Sequence, residues 1–99
     1  MHSAEIMGEV IELIGDPNRW CQGTVAKDSG GRSVLPGSAD ACKWCLSGAI
    51  CKVADTKDVA VFHFVTEAAL GELIPVFNDN NNHATVIDKL KAIKESWTK

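Results

Sequence analysis

The chain has 99 residues, the length of one folded domain, because a single hydrophobic core typically organises about 100–150 residues. Its hydrophobic share is 45%, and ten lysines and arginines against thirteen acidic residues give a net charge of −3. This balance argues against a dedicated nucleic-acid-binding protein, which would carry a basic surplus. The sequence has no apolar run near the roughly 20 residues that span a bilayer and no signal-peptide pattern at its start. We therefore expect a single cytoplasmic domain, residues 1–99, that neither enters a membrane nor binds nucleic acid directly.

The first half of the sequence predicts one helix and an irregular segment. Apolar residues recur at helical spacing from Ala4 to Ile14. Glycines and prolines then concentrate in residues 15–37, where Asp28–Gly31 favours the turn of a short hairpin. We expect a mainly α fold of about four helices, with this irregular or hairpin segment between the first two.

The remaining three predicted helices follow in chain order. The second is expected from about Ala39 to Val53 and the third from about Lys57 to Leu73, although the β-branched and aromatic stretch Val59–Val65 also resembles a strand. Residues 75–84 are expected to form a polar connector. The last helix is predicted to begin near Thr85, where Asp88 completes a capping-box pattern, and to extend to Trp97.

Four cysteines raise the question of a disulfide or a metal site. Without an export signal they are expected to be reduced. On a continuous helix Cys42 and Cys45 share a face, whereas Cys51 lies on the opposite face, so the three do not ligate one zinc ion. The sequence therefore predicts neither a metal site nor a cofactor, and small buried cysteines are the favoured interpretation.

A cysteine-dependent enzyme is the sharpest catalytic hypothesis, since a thiol beside a histidine base is a common nucleophile. The candidate set combines Cys42 or Cys45 with His63 or His83, oriented by Asn78 or Asp79. Chance combinations are easy in so short a chain, and no nucleophile elbow, oxyanion loop or P-loop pattern accompanies them. The prediction is therefore that no residue is catalytic.

Two polar clusters are candidates for binding. Trp20 lies beside Arg19 and Gln22 in the irregular segment, where an aromatic ring with polar neighbours can stack on a base or anchor a partner. Asn78 and Asp79 follow an apolar pair and either form a turn or a helix cap or hold a ligand. The alternative for Trp20 is a lid over the hydrophobic core.

Three short motifs resemble, in order, a family of short bacterial and tailed-phage proteins known as a domain of unknown function. They are Trp20-x-Gln22-Gly23-x-x-Ala26-x-Asp28, Trp44-Cys45-x-x-Gly48-Ala49-Ile50 and Phe77-Asn78-Asp79. The resemblance covers roughly residues 6–97 and implies a compact, mostly helical domain without an established activity. The family commonly has Trp where Phe77 stands. Together with the polar clusters, the resemblance predicts a ligand-binding set made of Arg19, Trp20, Gln22, Cys45, Asn78 and Asp79.

From size, resemblance and the lack of catalytic motifs, we expect a small non-enzymatic binding protein, phage-encoded, that acts as a counter-defence inhibitor. It would bind a host protein or sequester a small signalling nucleotide. Nucleotide binding requires Arg19, Trp20, Gln22 and the lysines of the last helix to converge. The alternatives are a cysteine-dependent enzyme using Cys45 and an assembly protein that forms a homo-oligomer through its helix faces.

Overall fold

The computed structural model describes residues 3–54 and 56–98. It is mainly helical, with five helices in the described residues where about four were predicted. The helices are α1 (Ser3–Ile14), α2 (Leu46–Val53), α3 (Thr56–Leu70), α4 (Ile74–Asn80) and α5 (His83–Trp97). A 3-10 turn (Pro17–Arg19) and two short antiparallel strands, β1 (Ala26–Lys27) and β2 (Lys43–Trp44), lie between α1 and α2.

The core forms where α1 packs against α2 and α5, while α2 also contacts α3 and α4. Helical periodicity places Met7, Val10 and Ile14 on the inner face of α1, where all three are fully buried. Each apolar side chain of this size stabilises the fold by about 1.5–3 kcal/mol when fully buried. The predicted first helix is thus the element on which α2 and α5 pack.

The predicted start of the second helix at Ala39 is wrong, because residues 39–45 lie beside β1 as turns and strand. The amide of Cys42 donates to the Lys27 carbonyl at 2.9 Å, and the amide of Cys45 donates to the Val25 carbonyl at 3.2 Å. Trp44 in β2 is only 7% exposed. In a helix that began at Ala39, the Cys45 amide would donate to the Ala41 carbonyl four residues earlier. It donates to Val25 instead, so α2 begins only at Leu46, with Cys45 as its N-cap.

The expected hairpin turn at Asp28–Gly31 is present. The Asp28 carboxylate accepts hydrogen bonds from the amides of Gly30 and Arg32, each at 2.9 Å. These bonds, with the Arg32 bond first among them, hold the pKa of the Asp28 carboxyl below its ordinary value. Gly31 has a φ of +83°, which a residue with a side chain rarely adopts.

Residues 59–65 are helical, as predicted, and belong to α3. The following helix, α4, corrects the prediction of a polar connector over residues 75–84. It forms because Ile74 and Phe77 bury their side chains, while the Glu67 carboxylate accepts the Ile74 amide at 2.8 Å. A second correction concerns α5, where Asn82 caps the helix by accepting the Thr85 amide at 2.8 Å. The predicted capping box from Thr85 to Asp88 therefore lies inside the helix.

Within the described ranges, 3–54 and 56–98, each helix on its own is too short or too polar to cross a membrane. Taken together, the segments Asp58–Leu70 and Ile74–Asn80 have the length and apolar composition of a membrane span, but a bend of 54° separates them.

Candidate functional site

The side chain of Asn78 joins three separate parts of the chain. It is fully buried, and its Oδ1 accepts from the indole N–H of Trp20 at 2.8 Å and from the amide of Leu46 at 3.0 Å. Its Nδ2 donates to the Cys21 carbonyl at 3.1 Å and to the Asp79 carboxylate at 3.0 Å. Two acceptor sites and two donor hydrogens are the whole capacity of an amide side chain. Asn78 therefore acts as a connector between the loop after α1, the start of α2 and the end of α4.

Gln22 closes the carboxyl end of α4. Its Nε2 lies 3.1 Å from the carbonyl of Asn78, 3.2 Å from that of Asp79 and 3.0 Å from that of Asn81. The last carbonyls of a helix lack partners within the helix, so this amide satisfies groups that would otherwise need water. The amino group of Gln22 is thereby committed to the fold.

The place where Asn78 joins the loop after α1, the start of α2 and the end of α4 is called the junction below. Asp79 adds a carboxylate to it. Its Oδ1 accepts from the Gly23 amide at 3.1 Å as well as from Asn78. The second oxygen, Oδ2, receives no hydrogen bond or ion pair from any residue that the structure describes. Asp79 is exposed, so this oxygen is available to a ligand.

Cys45 caps the amino end of α2, with its Sγ accepting the Gly48 amide at 3.3 Å. It is 6% exposed, and burial raises the pKa of its thiol. Burial likewise raises the pKa of Cys21, to about 11. At neutral pH both thiols are protonated, whereas a nucleophilic cysteine is a thiolate.

Arg19 does not join this cluster. Its guanidinium donates to the carbonyls of Leu13 at 2.7 Å and Glu12 at 3.0 Å, the last turn of α1. It also lies 3.6 Å from the Asp16 carboxylate. Of the six predicted ligand-binding residues, five meet around the end of α4 and the start of α2, and Arg19 instead stabilises the end of α1.

The two candidate histidine bases have other partners than a cysteine. His83 contacts the Ile14 carbonyl through Nε2 at 2.7 Å, and its ring packs against Trp20 at a tilt of 59°, with ring centroids 5.5 Å apart. His63 Nδ1 lies 3.0 Å from the Val59 carbonyl, and its Nε2 lies 3.1 Å from Ser47 Oγ. Since a carbonyl only accepts, Nδ1 carries the hydrogen in the neutral ring, and the Ser47 hydroxyl donates to Nε2.

The Ser47–His63 pair was not found from the sequence. The two residues are sixteen positions apart and belong to different helices, and only the packing of α2 on α3 brings them together. Within residues 3–54 and 56–98, no three or more His, Cys, Asp or Glu side chains are grouped to hold a metal ion.

A pocket of about 210 Å³ lies beside the junction. Its lining includes Val25 and Pro75 as apolar walls, and Cys45, Ser47 and Asp79 as groups with polar atoms. Asp79, whose Oδ2 has no partner among the described residues, therefore lines the pocket beside apolar walls. This pairing suits a ligand group that has both an apolar stem and a positive end.

Timed alkylation of the native protein tests the description of the cysteines. We expect the exposed Cys51 to react first with iodoacetamide and the buried Cys21 and Cys45 to react at least about tenfold more slowly, because reaction requires an accessible thiolate. Peptide mass spectrometry at successive times measures each rate. Fast, selective alkylation of Cys45 would instead favour the cysteine-dependent enzyme. Denatured protein, in which all four thiols are accessible, is the control.

Comparison with known proteins gives a family but no activity. Neither the curated proteins nor the solved structures with which the sequence was compared contain a match. One family model, described as a family of unknown function (DUF6197), matches residues 1–95. Since that match covers almost the whole sequence, the chain belongs to the DUF6197 family.

Proposed function

We propose that this chain is a small non-enzymatic binding protein that docks a protein partner through α3 and α4. The observation that carries the proposal is the exposure of large apolar side chains there. Of the six exposed large hydrophobic residues in the described part of the chain, four lie on these helices or in the turn between them. They define the α3–α4 surface: Val61 (52% exposed), Phe64 (73%), Leu73 (61%) and Val76 (44%).

The sequence of α3 explains why this surface is apolar. Phe62 is fully buried against the core, yet Val61 and Phe64, on the other side of the same helix, are also large and apolar. An ordinary surface helix places polar residues on its outer face. Exposed clusters of apolar residues mark interaction sites, and aromatic residues are enriched at the centres of interfaces.

The charges around this surface indicate the chemistry of the partner. From residue 58 to residue 82 the sequence contains four acidic residues and no lysine or arginine. Two copies of the chain that met through this surface would bring these acidic segments together, which is unfavourable. A basic partner is complementary, and the same acidic charge disfavours an anionic membrane, which attracts lysine and arginine. The proposed partner is therefore a protein with an apolar patch bordered by lysines or arginines.

The geometry around Trp20 favours a protein partner over a nucleotide. The indole N–H of Trp20 and the amide of Gln22 are occupied within the fold, and the Arg19 guanidinium is bound to the end of α1. Lys94 of α5 extends along α1, where its Cε lies 3.0 Å from the position of a Cβ at Gly8. The resemblance predicts a counter-defence role, either by binding a host protein or by sequestering a nucleotide. Of these two, inhibition of a host defence protein is the role that fits a protein partner, and it stays a prediction.

Binding of two designed helical peptides tests the proposal. Both carry the same leucine face, flanked by lysines in one peptide and by glutamates in the other. We expect the lysine peptide to bind more tightly, with an affinity that falls as salt increases. Phe64→Ser removes an exposed apolar side chain worth about 2 kcal/mol on burial, or roughly 30-fold in affinity. Fluorescence anisotropy of labelled peptides measures both effects.

Leu35→Ser is the matched control, because Leu35 is 76% exposed but lies in the loop between β1 and β2. It is expected to leave peptide affinity unchanged. An equal loss of peptide affinity in Phe64→Ser and Leu35→Ser, or equal affinity of the protein for the two peptides, would contradict the proposal. Dimerisation that Phe64→Ser abolishes in sedimentation would identify a second copy as the occupant, and binding to neutral lipid vesicles would identify a membrane.

A further inference from the structure

We infer that the pocket beside Asp79 receives a lysine or arginine side chain of the protein that docks on the α3–α4 surface. The inference rests on the proposed function and assigns one contact within it. The pocket and the surface adjoin in α4, where Pro75 of the pocket lining precedes Val76 of the α3–α4 surface. A partner that covers Val76 therefore has the pocket within reach of its own side chains.

The size of the pocket selects a single side chain. Sites for drug-sized ligands and cofactors have volumes of roughly 300–1,000 Å³. At about 210 Å³, this pocket lies below that range and does not match a nucleotide. Long basic side chains combine an apolar stem with a charged end. Here the stem would lie along Val25 and Pro75 while the charged end approaches the Asp79 carboxylate.

The Asp79 carboxylate is already fixed in position. Its Oδ1 accepts from the Gly23 amide at 3.1 Å and from Asn78 Nδ2 at 3.0 Å. These bonds orient the carboxylate in advance, so that little side-chain freedom is lost on binding. The residues lining the pocket include no lysine, arginine or histidine among those described, so the charge of Asp79 is not neutralised from within the pocket.

Ser47 offers a second acceptor at the pocket. Its hydroxyl hydrogen is directed to His63 Nε2, which lies 3.1 Å from Ser47 Oγ. The lone pairs of that oxygen remain available to a donor. An ammonium or guanidinium group has several N–H donors and therefore can bind Asp79 and Ser47 together.

The lysine peptide provides the main test, with the full-length chain in solution. Asp79→Asn retains the shape of the side chain and the Oδ1 acceptor but removes the charge. We expect it to weaken the lysine peptide by about tenfold, the size of a charge-assisted hydrogen bond in a partly exposed site. Asp88→Asn on α5 makes the same change of charge at an exposed position outside the pocket, and it is expected to change affinity less than twofold by the same measurement.

A measurement on the unaltered protein is independent of how well the variant folds. Nα-acetyl-lysine N-methylamide is expected to shift the NMR amide signals of Gly23, Thr24 and Ser47, whereas the uncharged norleucine analogue is expected to shift them less. Equal shifts from the two compounds, or none from either, would overturn the inference. So would an unchanged peptide affinity in a folded Asp79→Asn protein.

The two proposals fail in different ways. If Phe64→Ser weakens the lysine peptide and Asp79→Asn does not, the docking surface stands and the pocket assignment is wrong. If Phe64→Ser has no effect, the proposed function itself is wrong. Weakening by both variants supports both proposals, and a double variant then shows whether the two contacts are made by one bound peptide.

Discussion

Replacement of Asn78 by alanine is expected to lower the free energy of unfolding by about 4 kcal/mol, because it leaves several buried groups without partners. The indole N–H of Trp20, the amide of Leu46 and the carbonyl of Cys21 all lose their bond to this side chain. Each unsatisfied buried group costs about 1–3 kcal/mol, and water reaches the partly buried Trp20 more easily than the other two.

A loss of this size matters for a chain of 99 residues. At about 0.05–0.15 kcal/mol per residue, the whole protein is stable by only about 5–15 kcal/mol. Urea unfolding followed by circular dichroism measures the change, and strong loss of helix in water is expected if the native stability is near the lower limit. If the variant remains folded in water, the fall in its urea midpoint measures the loss of stability.

Asn80→Ala is the control, since Asn80 has the same side chain and lies two positions later in the same helix but is exposed. Its effect is expected to stay within about 0.5 kcal/mol. Equal effects of the two substitutions would show that the bonds of Asn78 contribute little beyond helix propensity. A large difference would establish this amide as a structural connector, whatever the protein binds.

The elements predicted correctly from the sequence are those with local signals. Apolar residues recur three and four positions apart along α1, so Val10 and Ile14 identify its inner face without knowledge of the fold. Helical spacing that continues beyond Val59–Val65 likewise favours a helix over a strand for these residues. Long periodic segments need no distant partner to be recognised.

The start of α2 and the existence of α4 depend on distant contacts. Cys45 N–H is taken by the Val25 carbonyl, twenty positions earlier in the sequence, so the helical spacing after Ala39 is misleading. In α4 the polar residues Asn78 and Asp79 suggested a connector, because Asn is usually exposed or in a turn. Only the tertiary structure shows that Asn78 is fully buried and bonded to Trp20.

The candidate site shows the same division. Motif order brought Trp20, Gln22 and Asn78 into one candidate set, and the structure places them in contact. Arg19 belongs to the predicted set only because it adjoins Trp20 in sequence. Arg19 ends the 3-10 turn and binds carbonyls at the end of α1, whereas Trp20 follows in extended conformation and binds Asn78. Ser47 had no signal in the sequence, since its bond to His63 depends on how two helices pack.

Replacement of Gly48 by alanine is expected to destabilise the protein by about 3 kcal/mol, although alanine is the better helix former by about 1 kcal/mol. A Cβ at this position would lie 1.8 Å from the carbonyl oxygen of Val25, which is backbone and cannot rotate away. That same carbonyl accepts the Cys45 amide at 3.2 Å. Moving the loop to make room would therefore break the contact that positions the start of α2.

Gly8→Ala is the matched comparison, because Gly8 also lies within a helix but its nearest obstacle is Cε of Lys94 at 3.0 Å. This flexible side chain can move, so the substitution is expected to raise the free energy of unfolding by about 0.5–1 kcal/mol through helix propensity. Urea midpoints of both variants measure the contrast.

Stabilisation by Gly48→Ala would mean that α2 and the Val25 loop are not in close contact, and the wall of the pocket beside Asp79 would then be misplaced. Opposite signs at the two glycines would establish that close approach of backbone to backbone, and not local helix preference, holds the pocket in shape.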